Sequence, residues 1–472
     1  MQEISFMAME YQQDQSIKEV QYRYFGSPEN GWRIERDNAH WLDLGPGYVL
    51  VESQFCGICS TDLVRHQLPF DLPQITGHEV VGKFNNMPVV IEINASHKAR
   101  GLSDTDCDYC NNELDIHCPE RMTLGIDRLP GGFAKWMLVP VNAVHALPTG
   151  VNPKSYVLIE PFAAAYKAVE TACPTDADEI AVLGPRRLGM LLIAALASYR
   201  QETGKNFKIT AVMRHEALKN RALSLGADKV QFISENNKND FADSYDIVFD
   251  TTGSTEGFIT ALSMATKKLH LKSTNGQAVL GLENLTAMVI NEQCLLAFNE
   301  TNLDKIVFSR DNKDKPIVYV SSELKKNQII ANFCDDSINI ITEIIELNNN
   351  NQQVDAAIVT SLDEINLLTR PVSRQGHSLL KSSAPVLVGA ENDVSVSDNR
   401  LLSKIFNQNL ILETSRCGSF KRAIEIFNRN PELVMKLDEY LITQVMKVVQ
   451  LSEAMKLAKN SDKSIKVVVE TG

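Results

Sequence analysis

The chain is poor in the features that would place it in a membrane, in a secretory pathway or on nucleic acid. It has no long apolar run. The longest, Leu188 to Ala197, falls well short of the roughly 20 residues that span a bilayer. Its start, Met1-Gln2-Glu3, leads into polar, acidic sequence and not into the apolar centre of a signal peptide. Positive charge is in deficit: 47 Lys and Arg stand against 59 Asp and Glu, a net charge of -12, which disfavours nucleic acid or an anionic membrane surface as the main partner. The nine cysteines are an odd number without a secretion signal, which argues against a disulfide framework and for metal binding where they cluster. The expectation is a cytoplasmic protein of 472 residues with two to three domains.

Texture changes once along the chain. Residues 1–165 are β-rich and broken by turns, with a strand signal at Tyr48 to Ser53 and turns at Gly131-Gly132-Phe133 and Pro148-Thr149-Gly150. From Glu179 onward short buried strands alternate with helices. Ile180 to Gly184 precedes a helix through Ala197, Phe207 to Val212 precedes a helix over Glu216 to Leu225, and Asp246 to Gly253 is a further strand. That alternation predicts a parallel doubly wound sheet. Residues 296–405 are of less obvious purpose: a strand at Ile317 to Val320, an amphipathic helix around Ile338 to Leu347, and a polar run from Asn348 to Gln353 read as a loop. Asp246, Thr251, Thr260, Leu271, Lys272 and Ser273 recur at an offset of 109 as Asp355, Thr360, Thr369, Leu380, Lys381 and Ser382. Either this is chance likeness or part of the sheet-forming segment is duplicated.

Two groups of residues have the chemistry of metal ligands. Cys59, His78 in Gly77-His78-Glu79, and Glu160 in Ile159-Glu160-Pro161 are the thiolate, imidazole and carboxylate donors that a catalytic zinc takes while one position stays open. Asp62 is placed to orient His78, and the Thr61 hydroxyl to pass on a proton from a bound alcohol. The second group, Asp104, Cys107, Cys110 and Cys118, has the close spacing of a structural zinc loop, with Asp104 as the fourth ligand. By itself Cys56-Gly57-Ile58-Cys59 also fits a dithiol pair or half of a zinc ribbon with Cys107 and Cys110. Arg65, His66 and Phe70 are near enough to line a substrate site or are ordinary surface-loop residues.

Gly184-Pro185-Arg186-Arg187-Leu188-Gly189 lies between a strand and an apolar helix, where backbone N–H groups and a helix N-terminus hold a pyrophosphate. The middle glycine is replaced by Arg186, which either pairs with the phosphates or obstructs them. After the next strand, Met213-Arg214-His215 with Lys219 nearby has positive charge where an acid would hold the ribose of NAD, so NADP is expected over NAD.

In their order, Cys59-Ser60-Thr61-Asp62, Gly77-His78-Glu79, the cysteine loop, Gly132-Phe133-Ala134, Ile159-Glu160-Pro161 and Asp250-Thr251-Thr252-Gly253 resemble the zinc-dependent medium-chain dehydrogenases/reductases. The likeness is strongest to the branch of glucose, sorbitol and threonine dehydrogenases, and covers about 40–295 and 408–472. It implies an α/β chain: a GroES-like catalytic domain at 1–165, a Rossmann doubly wound parallel sheet at 166–295 and 406–425, an α/β insertion at 296–405, and a return to the catalytic domain at 426–472. It also implies Cys59, His78 and Glu160 as zinc ligands with Glu79 an occasional one, Thr61 as proton relay, and Gly184, Arg186, Leu188, Gly189, Arg214, His215, Lys219 and Thr252 on the cofactor. The implied activity is hydride transfer between a secondary alcohol, polyol or sugar and NAD(P), in a homodimer or homotetramer. The insertion precedes Leu410-Ile411-Leu412-Glu413, a strand that in the family often pairs between subunits. Two rival expectations remain: a zinc- and nucleotide-binding regulatory protein without catalysis, and a zinc-independent quinone or enone reductase.

Overall fold

The computed structural model describes residues 1–102, 106–148, 150–303, 315–324, 338–350, 352–389, 399–460 and 464–472. They form two compact units, Met1–Ala163 with Cys417–Gly472, and Ala164–Arg416.

The first unit is β-rich. Strands Gln2–Tyr11, Ile17–Ser27, Gly31–Arg36 and Ala39–Leu44 make an antiparallel meander. Alternation along these strands puts Tyr22, Tyr24, Trp32 and Ile34 on the buried side. A separate seven-stranded sheet centres on Tyr48–Gly57, which pairs antiparallel with Glu79–Phe84 on one side and with the C-terminal strand Lys466–Glu470 on the other. This sheet carries Cys59, two residues beyond Gly57, and Glu79 at the start of its neighbour. The short strands and turns thus deliver the metal donors from adjacent strand ends.

The second unit is built on one eleven-stranded sheet. Its strands in chain order are β1 (Glu179–Leu183), β2 (Lys208–Met213), β3 (Lys229–Phe232), β4 (Tyr245–Asp250), β5 (Ala265–Leu271), β6 (Cys294–Ala297), β7 (Ile317–Val320), β8 (Asn339–Ile341), β9 (Ala356–Val359), β10 (Pro385–Val388) and β11 (Ile411–Thr414). In space the order is β3-β2-β1-β4-β5-β11-β6-β10-β9-β7-β8. The central strands read as continuous apolar runs because helices cover both faces; Ile180, Ala181 and Val182 are fully buried. The helices needed below are α1 (Arg187–Thr203), α2 (Thr255–Met264), α3 (Leu285–Ile290), α4 (Leu362–Thr369) and α5 (Arg400–Gln408).

The α/β insertion is therefore not an appendage. Its strands extend the same sheet. The amphipathic helix expected around Ile338 to Leu347 is corrected: Asn339–Ile341 is strand, parallel to β7, and the helix is Ile344–Asn350. Pairing along β7 overrides the local helical pattern there. The polar run expected as a loop from Asn348 begins inside that helix, which runs through Asn350. Among the described residues no helix is long and apolar enough to cross a membrane.

Candidate functional site

Cys59 caps the short helix Ser60–Leu63, its N–H donating to Asp62 Oδ2 at 2.9 Å. The other oxygen of Asp62 accepts from the Gly77 N–H at 3.0 Å and stands 3.6 Å from His78 Nδ1. One buried carboxylate thus ties the Cys59 turn to the His78 turn. Gly77 has φ of +92°, and a Cβ there would stand 2.7 Å from Cys56 Sγ, so the turn that presents His78 requires glycine.

This scaffold brings single donor atoms of Cys59, His78 and Glu79 within 4.8 Å of one another, with His78 and Glu79 buried. Sulfur, nitrogen and oxygen donors at such spacing fit a zinc ion. His78 Nδ1 is buried without a hydrogen-bond partner. Burial opposes protonation of the imidazole, but the Asp62 carboxylate and Cys59 outweigh it and hold its pKa well above the usual value, so without a cation this pocket attracts a proton. Glu79 also pairs with the buried Lys466 ammonium, which donates to the Ile58 carbonyl at 3.2 Å. Thr61 Oγ1 is 3.7 Å from Cys59 Sγ. Glu160, half-buried in the first turn of the helix Ile159–Ala172, is outside the 4.8 Å group. Cys56 is a fully buried free thiol and likewise outside it. Arg65 is also buried, donating to the carbonyls of Phe70 and Asp71 and to Gln74 Oε1, and so holds the loop in shape.

The cysteine loop assembles differently from its expected ligand set. Cys107, Cys110 and Cys118 converge with His97, all four donor atoms lying within 4.8 Å of one another. His97 Nδ1 is 3.7 Å from Cys118 Sγ and 3.9 Å from Cys110 Sγ, while its Nε2 is 3.0 Å from Glu120 Oε2. A carboxylate on the far ring nitrogen orients a ligating histidine. Three thiols and an imidazole are a complete structural zinc set. Asp104 lies outside the described residues. Burial pushes the Cys118 thiol up to about 12. His97 was missed because it stands ten residues before Cys107, far beyond the usual close ligand spacing; an imidazole preceding a three-cysteine cluster was the available signal. Cys56 and Cys59 do not join this group, which removes the zinc-ribbon pairing.

In the second unit a cavity of about 300 Å³ opens at the ends of β1, β2 and β4. Of the expected cofactor residues, Gly184, Arg186, Arg214, His215 and Thr252 line it; Leu188, Gly189 and Lys219 do not. Gly184 has φ of +71°, and a Cβ on it would meet Thr252 Cγ2 at 2.6 Å. Gly189 sits in α1, where a Cβ would press on Thr251 Oγ1 at 2.6 Å, so its role is close helix–strand packing. Lys238, which the sequence reading omitted, also lines the cavity and pairs with Glu235 at 2.5 Å. Arg214 Nη2 is 3.5 Å from Glu256 and 3.7 Å from Glu235, both exposed pairs. Arg186 is the residue before α1, whose first turn offers N–H groups and a positive dipole end to an anion.

Residues 45–149 match the alcohol dehydrogenase GroES-like domain. Among curated proteins, the chain is 24% identical over 197 residues to sorbitol dehydrogenase of Halalkalibacterium halodurans, covering 39% of this chain and 54% of that protein. It is 28% identical over 204 residues to an alcohol dehydrogenase of Geobacillus stearothermophilus, covering 39% and 56%. The chain thus spans little more than half the length of these relatives. Among solved structures, L-idonate 5-dehydrogenase of Escherichia coli aligns with a TM-score of 0.56 at 14% identity over 99% of each chain, a likeness of fold.

Proposed function

We propose that this member of the medium-chain dehydrogenase/reductase superfamily is a zinc-dependent oxidoreductase that moves a hydride between a secondary alcohol, polyol or sugar and NADP. The observation that carries the reading is the convergence of Cys59, His78 and Glu79 on one buried point.

Cys59, His78 and Glu79 would hold a zinc ion, which when bound would supply Lewis acidity toward an alcohol substrate. The chain's own residues do the rest. Asp62 fixes the Cys59 and Gly77-His78 turns together through two backbone N–H groups, so that thiolate and imidazole are presented without reorganisation. Lys466 holds Glu79 and offsets its charge in a buried setting where an unpaired carboxylate is costly. Glu79 is the third donor in this arrangement, and Glu160 the further carboxylate that the sequence offers. The Thr61 hydroxyl, beside Cys59, accepts the alcohol proton and passes it outward. In the nucleotide cavity, Arg214 and Lys238 provide the positive charge that a 2′-phosphate takes, with His215 beside them, displacing Arg214 from its exposed pairs with Glu235 and Glu256. Those exposed pairs cost little to break.

The test combines metal counting, cofactor titration and turnover on a panel of polyols and sugars. Cys59→Ala or His78→Ala is expected to lower turnover about 10³-fold or more, because several kcal/mol of Lewis-acid stabilisation is lost at roughly 1.4 kcal/mol per tenfold. Zinc should fall by one per chain, with the cooperative melt retained and NADPH bound more tightly than NADH. Full turnover in either variant would sink the proposal.

A further inference from the structure

The eleven-stranded sheet has an internal symmetry that is independent of the activity proposed above. Strands β3-β2-β1-β4-β5 are parallel to one another and to β11, and strands β6, β10, β9, β7 and β8 are parallel to one another. The two sets meet at a single antiparallel pairing, β6 with β11, through Leu295 and Leu412. Two parallel sheets joined edge to edge in opposite directions are related by a two-fold axis through the junction. That is the geometry of an isologous contact.

The details on either side agree. Asp246 Oδ2 at the start of β4 accepts the Glu179 N–H of β1 at 2.8 Å, and Asp355 Oδ2 at the start of β9 accepts the Ile317 N–H of β7 at 2.8 Å. A lysine pairs with each aspartate, Lys267 with Asp246 at 3.1 Å and Lys381 with Asp355 at 2.8 Å, although the two lysines come from different positions relative to β5 and β10. Ser254 caps α2 and Ser361 caps α4, each accepting from the third helical N–H. Glu292, between α3 and β6, has φ of +52°, and Asn409, between α5 and β11, has φ of +53°. Glu292 and Asn409 are 117 positions apart, as are the buried pairs Leu285 and Leu402, Met288 and Ile405, and Leu295 and Leu412. Leu295 therefore pairs with its own counterpart, as a residue on a two-fold axis must.

In chain order the counterparts run β1, β2, β4, β5, β6 and then β7, β8, β9, β10, β11. In space β5 pairs with β11, not with the β6 that follows it, and β10 pairs with β6, not with β11. We infer that residues 179–414 are two tandem copies of one nucleotide-binding sheet that have exchanged their last strands. The chain thereby supplies in itself the partner for the sheet edge that a single copy presents to a second molecule. The expected homodimer is not built on this edge: both sides of β11 are occupied within one chain.

The second copy does not keep the glycines of the nucleotide crevice. Gly184, after β1, corresponds to Ser321 after β7, and Gly257, third residue of α2, corresponds to Glu364 of α4. The Glu364 carboxylate accepts from the Thr360 N–H at 2.8 Å, from Thr360 Oγ1 at 3.1 Å and from Tyr319 OH at 2.7 Å, and so occupies the ground that an anion would take.

The test uses the full chain in a Cys294→Ala background with Leu295→Cys and Leu412→Cys. After mild oxidation in dilute solution, a bond within one chain is expected, seen as monomer on a non-reducing gel and as a 295–412 cross-linked peptide by mass spectrometry. A bond between chains, or none in a protein that melts like the parent, overturns the inference. Hydrogen exchange on the unaltered protein covers the case in which the variant does not fold. Protection of the 411–414 amides is expected to be the same at micromolar and nanomolar concentration, and protection lost on dilution overturns the cis pairing.

Discussion

The two copies of the sheet share strand order and caps but differ at the residues where a nucleotide would sit. The first copy keeps Gly184, Asp250 and Gly257; the second has Ser321, Val359 and Glu364 at the corresponding places. The connection from β4 to the Ser254 cap is two residues longer than that from β9 to the Ser361 cap, and the additional pair is filled by the cavity-lining Thr252 and its neighbour Gly253. The first copy carries local costs. Asp250 is buried, its Oδ2 has no hydrogen-bond partner, and burial, only partly offset by bonds from the Thr252 N–H and Oγ1, raises its pKa to about 6. The second copy has relieved each of these, with an apolar strand end and a carboxylate whose bonds are satisfied. An unsatisfied buried carboxyl oxygen remains at Asp250, where a ligand is expected, and the corresponding Val359 has no polar side chain to satisfy.

Exchanging residues between the copies breaks that contrast. Gly257→Glu places the second copy's acid in the first copy's cavity, where even a Cβ would lie 1.8 Å from Thr252 Oγ1. NADPH affinity should fall at least ~10³-fold by calorimetry, since a buried like charge meets a phosphate; wild-type affinity would mean the cavity is not the nucleotide site.

Next in size is Asp250→Asn. The folded state holds this proton more tightly than the unfolded chain, whose carboxyl titrates near 3.8. The stability it contributes is complete below that pH and is lost as pH rises to about 6, leaving a buried charge as a cost at neutrality. At roughly 1.4 kcal/mol per pKa unit, and with an amide that also lacks one partner, the substitution should add about 2 kcal/mol of stability at pH 7. Denaturant melts at pH 4 and pH 7 measure it: the variant's gain should vanish at pH 4, and an equal gain at both would rule out this cause.

The smallest effect is expected from Glu364→Ala. Loss of the cap and of the Tyr319 and Thr360 bonds should cost about 1–2 kcal/mol without altering NADPH stoichiometry, which stays at one per chain. A second bound nucleotide in this variant would mean that Glu364 alone closes the second crevice.

Much of the candidate site was legible because its chemistry is local. Cys59, Asp62 and His78 come from turns at strand ends, and thiol, acid and imidazole on short spacings are visible as letters. The strand–turn–helix around Gly184 was legible for the same reason, since a left-handed turn and an apolar helix leave a composition signature. The repeat at offset 109 was half legible. Asp246 with Asp355 and Thr251 with Thr360 occupy equivalent places, but Leu380 to Ser382 precede β10 and do not correspond to the end of β5, because the offset lengthens to 117 in between.

The sequence by itself determined which donors and turns exist, since backbone geometry and side-chain chemistry act over a few residues. Only the tertiary structure decided which of them meet. It brought His97 to Cys107, Cys110 and Cys118 and set Lys466 against Glu79 from the far end of the chain. It also paired β5 with β11 instead of with the β6 that follows. Such choices rest on burial and hydrogen bonding summed over whole strands, and a sheet that must leave no open apolar edge selects partners that no local pattern specifies.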